Sequence, residues 1–114
     1  MTIRLSGPGV TVADVVAVAR ALEPVELTAD AVDRMAVARA VVERLAEGAP
    51  KYGISTGCGA LATVSIAPDR RRALQAALIR SHAAGMGDPV EDEVVRAMVF
   101  LRARTLALGN SGAR

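Results

Sequence analysis

Four stretches of this chain carry apolar residues at helical spacing, and two very short ones carry them at the spacing of a strand. Ile3 to Leu5 predicts a short strand. After Gly7-Pro8-Gly9, the run Thr11-Val12-Ala13-Asp14 predicts the start of a helix reaching about Leu22, with Thr11 offering the capping oxygen. Pro24-Val25-Glu26-Leu27 alternates and is bounded by a proline, which predicts a brief strand pairing with the first. Thr28 then caps a longer helix, with Val32, Met35, Ala36, Val42 and Leu45 inward and Asp33, Arg34, Glu43 and Arg44 between them. Gly48-Ala49-Pro50 stops it, because glycine accepts a left-handed turn and proline cannot continue the ladder. Residues 52–67 show no helical period and predict an irregular loop. Pro68-Asp69 opens a third helix to about Gly85, with Leu74, Ala77, Leu78 and Ser81 on one face and His82 near its last turn. Beyond Gly87-Asp88-Pro89, a fourth runs from about Glu91 to Leu108 with Val94, Val95, Met98, Leu101 and Thr105 as its core stripe. The fold predicted is mainly α: one domain over residues 1–114, four helices, a short N-terminal β-pair and a glycine-rich loop.

Composition narrows the function classes. At 114 residues the chain buries only a moderate share of its surface. Its apolar half is almost all Ala, Val, Leu, Ile and Met, with Tyr52 and Phe100 the two aromatics. Such a core leaves an apolar face for a partner, so self-association is expected. The formal charge of +2 is spread along the sequence, which argues against nucleic acid as a partner. Arg70-Arg71-Arg72, with no aromatic interleaved to stack bases, reads as a solvated helix face. One cysteine excludes an internal disulfide, and one histidine excludes a multi-histidine metal site. The N-terminus lacks the apolar run of a signal peptide, and no apolar stretch approaches the roughly twenty residues of a membrane span. A cytoplasmic protein is expected, away from membranes.

The loop is the informative part. Tyr52-Gly53-Ile54-Ser55-Thr56-Gly57-Cys58-Gly59 sets the single tyrosine and the single cysteine among three glycines and two hydroxyls, a composition suited to close backbone approach. It resembles the Tyr-Gly-Ile-Asn-Thr-Gly-Phe-Gly signature of the histidine and aromatic amino-acid ammonia-lyases. Ser81-His82-Ala83-Ala84-Gly85 resembles the Ser-His-Ala-Ala-Gly segment of the histidine-type members. Leu101-Arg102-Ala103-Arg104 and Gly109-Asn110-Ser111-Gly112-Ala113-Arg114 resemble the family's Leu-Arg-x-Asn and Gly-x-Ser-Gly-Val-Arg stretches. The order and spacing match over essentially the whole chain, which corresponds to the beginning of a family member.

The resemblance implies roles. Tyr52 would be the base that takes a proton from the substrate; a phenol of ordinary pKa, about 10, serves only where its anion is stabilised. His82 would face the substrate side chain, donating from one ring nitrogen and accepting at the other, and the Gly59 backbone would contact the substrate. A polar, helix-terminal histidine and a tyrosine half-buried between loop and core are the structural alternatives for these two residues. The family's electrophile, a methylidene-imidazolone formed from an Ala-Ser-Gly triplet, is expected only from a downstream or partner segment, since Asn110-Ser111-Gly112 aligns with an earlier stretch. Three departures stand out. Ser55 replaces an asparagine and Cys58 a large aromatic, both widening the loop environment, and Arg104 stands where the family commonly has asparagine. No motif supplies Cys58 with a general base that would make it a nucleophile.

The reading is therefore the N-terminal part of a histidine-type ammonia-lyase, binding an amino-acid substrate and inactive as this chain alone. It would be completed by a C-terminal polypeptide or by self-association, since family sites are assembled from more than one subunit. A non-catalytic interaction or regulatory domain derived from the family is one alternative. A tyrosine-type lyase or aminomutase fragment is the other.

Overall fold

The structure is a computed structural model and describes Met1 to Ala113. Its elements are β1 (Ile3–Leu5), α1 (Val12–Ala21), β2 (Val25–Leu27), α2 (Ala29–Glu47), α3 (Pro68–His82) and α4 (Asp92–Ala107), with a single 3₁₀ turn at Gly59–Leu61. The expected mainly α chain with four helices and a β-pair is what forms. The strands run parallel, with Ile3 opposite Val25 and Leu5 opposite Leu27, because α1 provides the crossover that a parallel pair needs. The chain divides into two compact units, Met1–Val41 with Pro89–Arg114, and Val42–Asp88.

In the first unit, Thr11 and Asp14 form a reciprocal capping box at the start of α1. At its other end Leu22, not a glycine, takes the left-handed cap at φ 56°. Ile3, Leu5, Ala31, Phe100 and Ala107 make the core, with Val10, Val15, Val18 and Ala103 packed against it. Small alanines on the inner side of α4 let α1 approach closely. Arg96 Nε–H donates to the Ala19 carbonyl at 2.7 Å, and Arg20 Nε–H donates to Glu93 at 2.8 Å, tying the two helices at their margins.

The inner line of α4 corrects the sequence expectation. Phe100, Ala103 and Ala107 face the core, whereas Val94, Val95, Met98 and Leu101 are 41–63% exposed and Thr105 is exposed, its hydroxyl donating to Leu101 O. One large ring plus two alanines outcompetes a line of valines because it fills the space beside α1 without spreading the helices. A shallow cavity of about 290 Å³ remains, lined by Val18, Val25, Val95, Val99 and Phe100 among others. On α2, Ala31, Arg34, Met35 and Ala38 turn inward, while Val32 and Ala36 are exposed against expectation. Arg34 binds the carbonyls of Ser6 and Ala107, and Gly109, at φ +76°, passes so close that a Cβ there would lie 2.8 Å from Arg34 Cβ.

In the second unit α2 ends with Gly48 N–H donating to Leu45 O at 3.4 Å. Gly48 is not left-handed, unlike the stop expected from the sequence. On α3, Arg71, Leu74 and Leu78 are half-buried, but Ala77 and Ser81 of the expected inner face are exposed. That helix closes at His82 rather than near Gly85, because Ala83 leaves the helical region at φ −80°, ψ 57°. Among the described residues, no helix is long and apolar enough to cross a membrane.

Candidate functional site

The signature segment lies in the second unit and is shaped almost entirely by hydrogen bonds. Lys51 C=O accepts from the N–H groups of Ile54 and Ser55 at 3.1 and 3.0 Å, winding the chain into a tight turn around Tyr52 and Gly53. Ser55 Oγ in turn accepts from Lys51 N–H at 2.9 Å. Thr56 Oγ1 donates to Gly57 O at 3.0 Å. Ser55 and Thr56 are 3% and 2% exposed, so these bonds are made away from water, where an unmade bond is costly. Ser55 thus closes the turn with its own hydroxyl.

The outgoing half of the loop folds back on the first. Thr56 and Ser65 form an antiparallel bridge, with Gly57 N–H donating to Val64 O and Ile66 N–H to Ser55 O. Between them the 3₁₀ turn comes so near that a Cβ on Gly57 would lie 2.6 Å from Leu61 Cβ and 2.8 Å from Leu61 O. Only glycine fits there without moving backbone.

Tyr52 and Gly59, two of the three site residues expected from the sequence, are brought together by this fold. Gly59 N–H donates to Tyr52 Oη at 3.3 Å, which fixes the direction of the ring. Tyr52 is 65% exposed, so it is not a ring packed between loop and core. Cys58 is half-buried beside Gly53. His82 lies at the end of α3, exposed, and bonds within its own helix: Nδ1 is 2.9 Å from Leu78 O and 3.0 Å from Ser81 Oγ. A carbonyl oxygen only accepts, so in the contact with Leu78 it is the ring Nδ1–H that donates. These bonds join His82 to neither Tyr52 nor Gly59. Arg104, half-buried on α4, belongs to the first unit.

Arg71 is the residue that the sequence reading placed wrongly. It is a bracket, not part of a solvated basic face: Nε–H donates to Ile66 O at 3.1 Å and Nη1–H to Ala46 O at 2.9 Å. The signal was present in the spacing, since Arg71, Leu74 and Leu78 share the inward side of α3. Ser55 and Thr56 as buried anchors had no such signal; hydroxyl residues in a glycine-rich loop are ordinarily solvated.

Electrostatic perturbation lies elsewhere. The Thr11 backbone N–H and hydroxyl hold the Asp14 carboxyl below its ordinary value. Arg34, whose Nη1–H donates to Asp30 at 2.7 Å, does so for Asp30, and Arg20 does so for Glu93. All three belong to the first unit. Among the described residues, no group of acidic, cysteine or histidine side chains could hold a metal ion.

The sequence of known proteins supplies the context for this loop. The profile of the aromatic amino acid lyases matches residues 10–114. Histidine ammonia-lyase of Streptomyces coelicolor is 53% identical over 114 residues, covering 99% of this chain and 22% of that enzyme. The histidine ammonia-lyase of Treponema denticola is 46% identical over 111 residues, 96% of this chain and 22% of its own. Among solved structures, tyrosine aminomutase from Streptomyces globisporus superposes with a TM-score of 0.92 at 32% identity, covering all of this chain and 22% of that one. Ergothionase from Treponema denticola does so with a TM-score of 0.91 at 30% identity, covering 96% and 22%. The chain therefore spans about a fifth of the length of the relatives it matches. With the signature loop folded as described and the profile covering nearly every residue, the chain belongs to the aromatic amino acid lyase family.

Proposed function

We propose that this chain supplies the N-terminal, proton-accepting part of a histidine-type ammonia-lyase, acting with further polypeptide to release ammonia from L-histidine. The observation that carries the reading is the exposed Tyr52, its Oη aimed by the Gly59 N–H inside the signature loop. Tyr52 takes the proton from the substrate β-carbon, and the Gly59 backbone bounds the place where that carbon sits. His82 pairs through its ring with the imidazole of the substrate. The histidine type is favoured because the identity to histidine ammonia-lyases reaches 53%, against 32% to a tyrosine aminomutase.

The electrophile is not made from these residues. Asn110 precedes Ser111-Gly112 where the precursor has alanine, and no Ala-Ser-Gly occurs in the 114 residues, so no step is assigned to that group here. Exposed apolar side chains support the participation of further polypeptide: on α4, Met98, Val99 and Leu101 are 45–64% exposed. The same reading places the protein in the cytoplasm, in histidine breakdown and in an oligomer.

The test is reconstitution. Mixed with a polypeptide corresponding to the remaining length of the Streptomyces coelicolor relative, the chain is expected to release ammonia from L-histidine, while alone it releases none. Tyr52→Phe keeps the ring and removes the proton acceptor, so the rate should fall about 100-fold or more. Full activity of Tyr52→Phe overturns the assignment of the base. A well-formed complex that deaminates no amino acid favours a non-catalytic domain instead.

A further inference from the structure

We propose that Arg71 and Ser55 are positioning residues for Tyr52, the two ends of one hydrogen-bonded relay that sets where the phenol stands. The proposal rests on the reading of Tyr52 as the base. The relay begins at the C-terminal end of α2, where the Ala46 carbonyl accepts from Arg71 Nη1–H at 2.9 Å. The same guanidinium donates through Nε–H to Ile66 O at 3.1 Å, on the outgoing side of the loop. Ile66 N–H passes the connection back to Ser55 O at 2.9 Å, and Ser55 Oγ accepts from Lys51 N–H at 2.9 Å. Lys51 is the residue before Tyr52. Every member of the relay lies within the unit Val42–Asp88.

Two features make this a positioning device more than a set of loop bonds. A planar guanidinium bonding two carbonyls in different segments holds both their separation and their direction, which a lysine ammonium at the same place would not. Ser55 grips Lys51 from both sides, its N–H on the Lys51 carbonyl and its Oγ on the Lys51 N–H. The residue carrying the base thus leaves a main chain pinned at both polar groups. Tyr52 itself is largely exposed, and its phenol oxygen accepts from Gly59 N–H within the same loop, so its placement depends on the backbone that presents it. Misplacement of a base by an ångström is enough to cost about two orders of magnitude in rate.

The chain has one tyrosine and no tryptophan, so its intrinsic fluorescence reports Tyr52 alone. The variants are Arg71→Lys and Ser55→Ala, with Leu74→Ala as a half-buried control in the same unit that leaves the relay intact. Arg71→Lys and Ser55→Ala are expected to keep the far-ultraviolet helix signal while the amplitude of fast Tyr52 motion in the anisotropy decay roughly doubles. In the reconstituted enzyme kcat should fall about 10-fold with KM within about twofold of the parent. Leu74→Ala should lower the melting temperature without changing the anisotropy of Tyr52. Wild-type anisotropy and kcat in both relay variants, with Tyr52→Phe inactive, overturns the positioning proposal and leaves the base in place. Changed anisotropy in the relay variants with an active Tyr52→Phe overturns the base and leaves the relay as a purely structural device. Should Arg71→Lys lose its helix signal, Ser55→Ala, which removes a single oxygen, decides alone.

Discussion

The two units of this chain are held by different physics. In Met1–Val41 with Pro89–Arg114, the buried side chains are Ile3, Leu5, Ala19, Ala31, Phe100 and Ala107, an apolar interior assembled from a strand and three helices. In Val42–Asp88, the buried residues are Ser55, Thr56 and Gly57, and no described apolar side chain is fully buried. The first unit gains its stability from area removed from water. The second depends on polar groups satisfied in a set geometry, with half-buried Leu45, Leu74 and Leu78 in support. Placing the proposed base in the second unit makes sense on these terms: hydrogen bonds fix direction, whereas apolar contacts fix mainly distance.

The contrast can be broken most forcefully from the apolar side. Phe100→Ala empties the centre of the first unit, and its cost is expected at about 3–5 kcal/mol, a large part of the stability of a chain this size. Chemical denaturation followed by circular dichroism measures it. A cost under about 1 kcal/mol would mean that Phe100 is not the keystone of that core.

Within the second unit, shape replaces volume. Gly57→Ala puts a carbon 2.6 Å from Leu61 Cβ and 2.8 Å from its carbonyl, so backbone has to move, at about 1–3 kcal/mol. The sharper expectation concerns Tyr52, whose partner Gly59 opens the displaced turn: its fluorescence anisotropy should drop in Gly57→Ala and stay unchanged in Phe100→Ala variants that remain folded. Equal response in both would dissolve the distinction between the units.

The smallest effect is acid sensitivity, and it belongs to the first unit. Thr11 holds Asp14 below its ordinary 3.8, and Arg20 holds Glu93 below its ordinary 4.5. A carboxyl depressed in the folded state contributes stability above its unfolded value and loses it as pH falls through the folded one. Denaturation midpoints should therefore decline below about pH 4.5. Combining Asp14→Asn with Glu93→Gln should flatten that decline. An unaltered slope in the double variant would assign the acid response to other groups.

Much of this architecture was legible in the sequence. Thr11 and Asp14 gave α1, the alternation at Val25 to Leu27 gave β2, and Pro68 gave the start of α3. These are local decisions, made by caps, prolines and short-range spacing. The inner face of α4 was not legible, because valines and methionine line one side and alanines the other, and only the fit against α1 decides between them. Of the site, Tyr52 and Gly59 were readable together from the signature segment. The relay that supports them was hidden, because Arg71 stands in a run of three arginines and the burial of Ser55 depends on Ile66, eleven residues further on.

One consequence of the division concerns the order in which the chain is made. The first unit is discontinuous: the partners Arg20 and Glu93, and Ala19 and Arg96, are separated by 73 and 77 residues. Ile3 and Leu5 therefore leave the ribosome long before Phe100 and Ala107 exist to cover them. The segment Val42–Asp88, contiguous and closed by its own short-range bonds, is complete earlier. During synthesis, the loop bearing Tyr52 is then available in finished form while the N-terminal strand still waits for α4. The exposed β1–α1 segment is the stretch that a nascent-chain chaperone would meet.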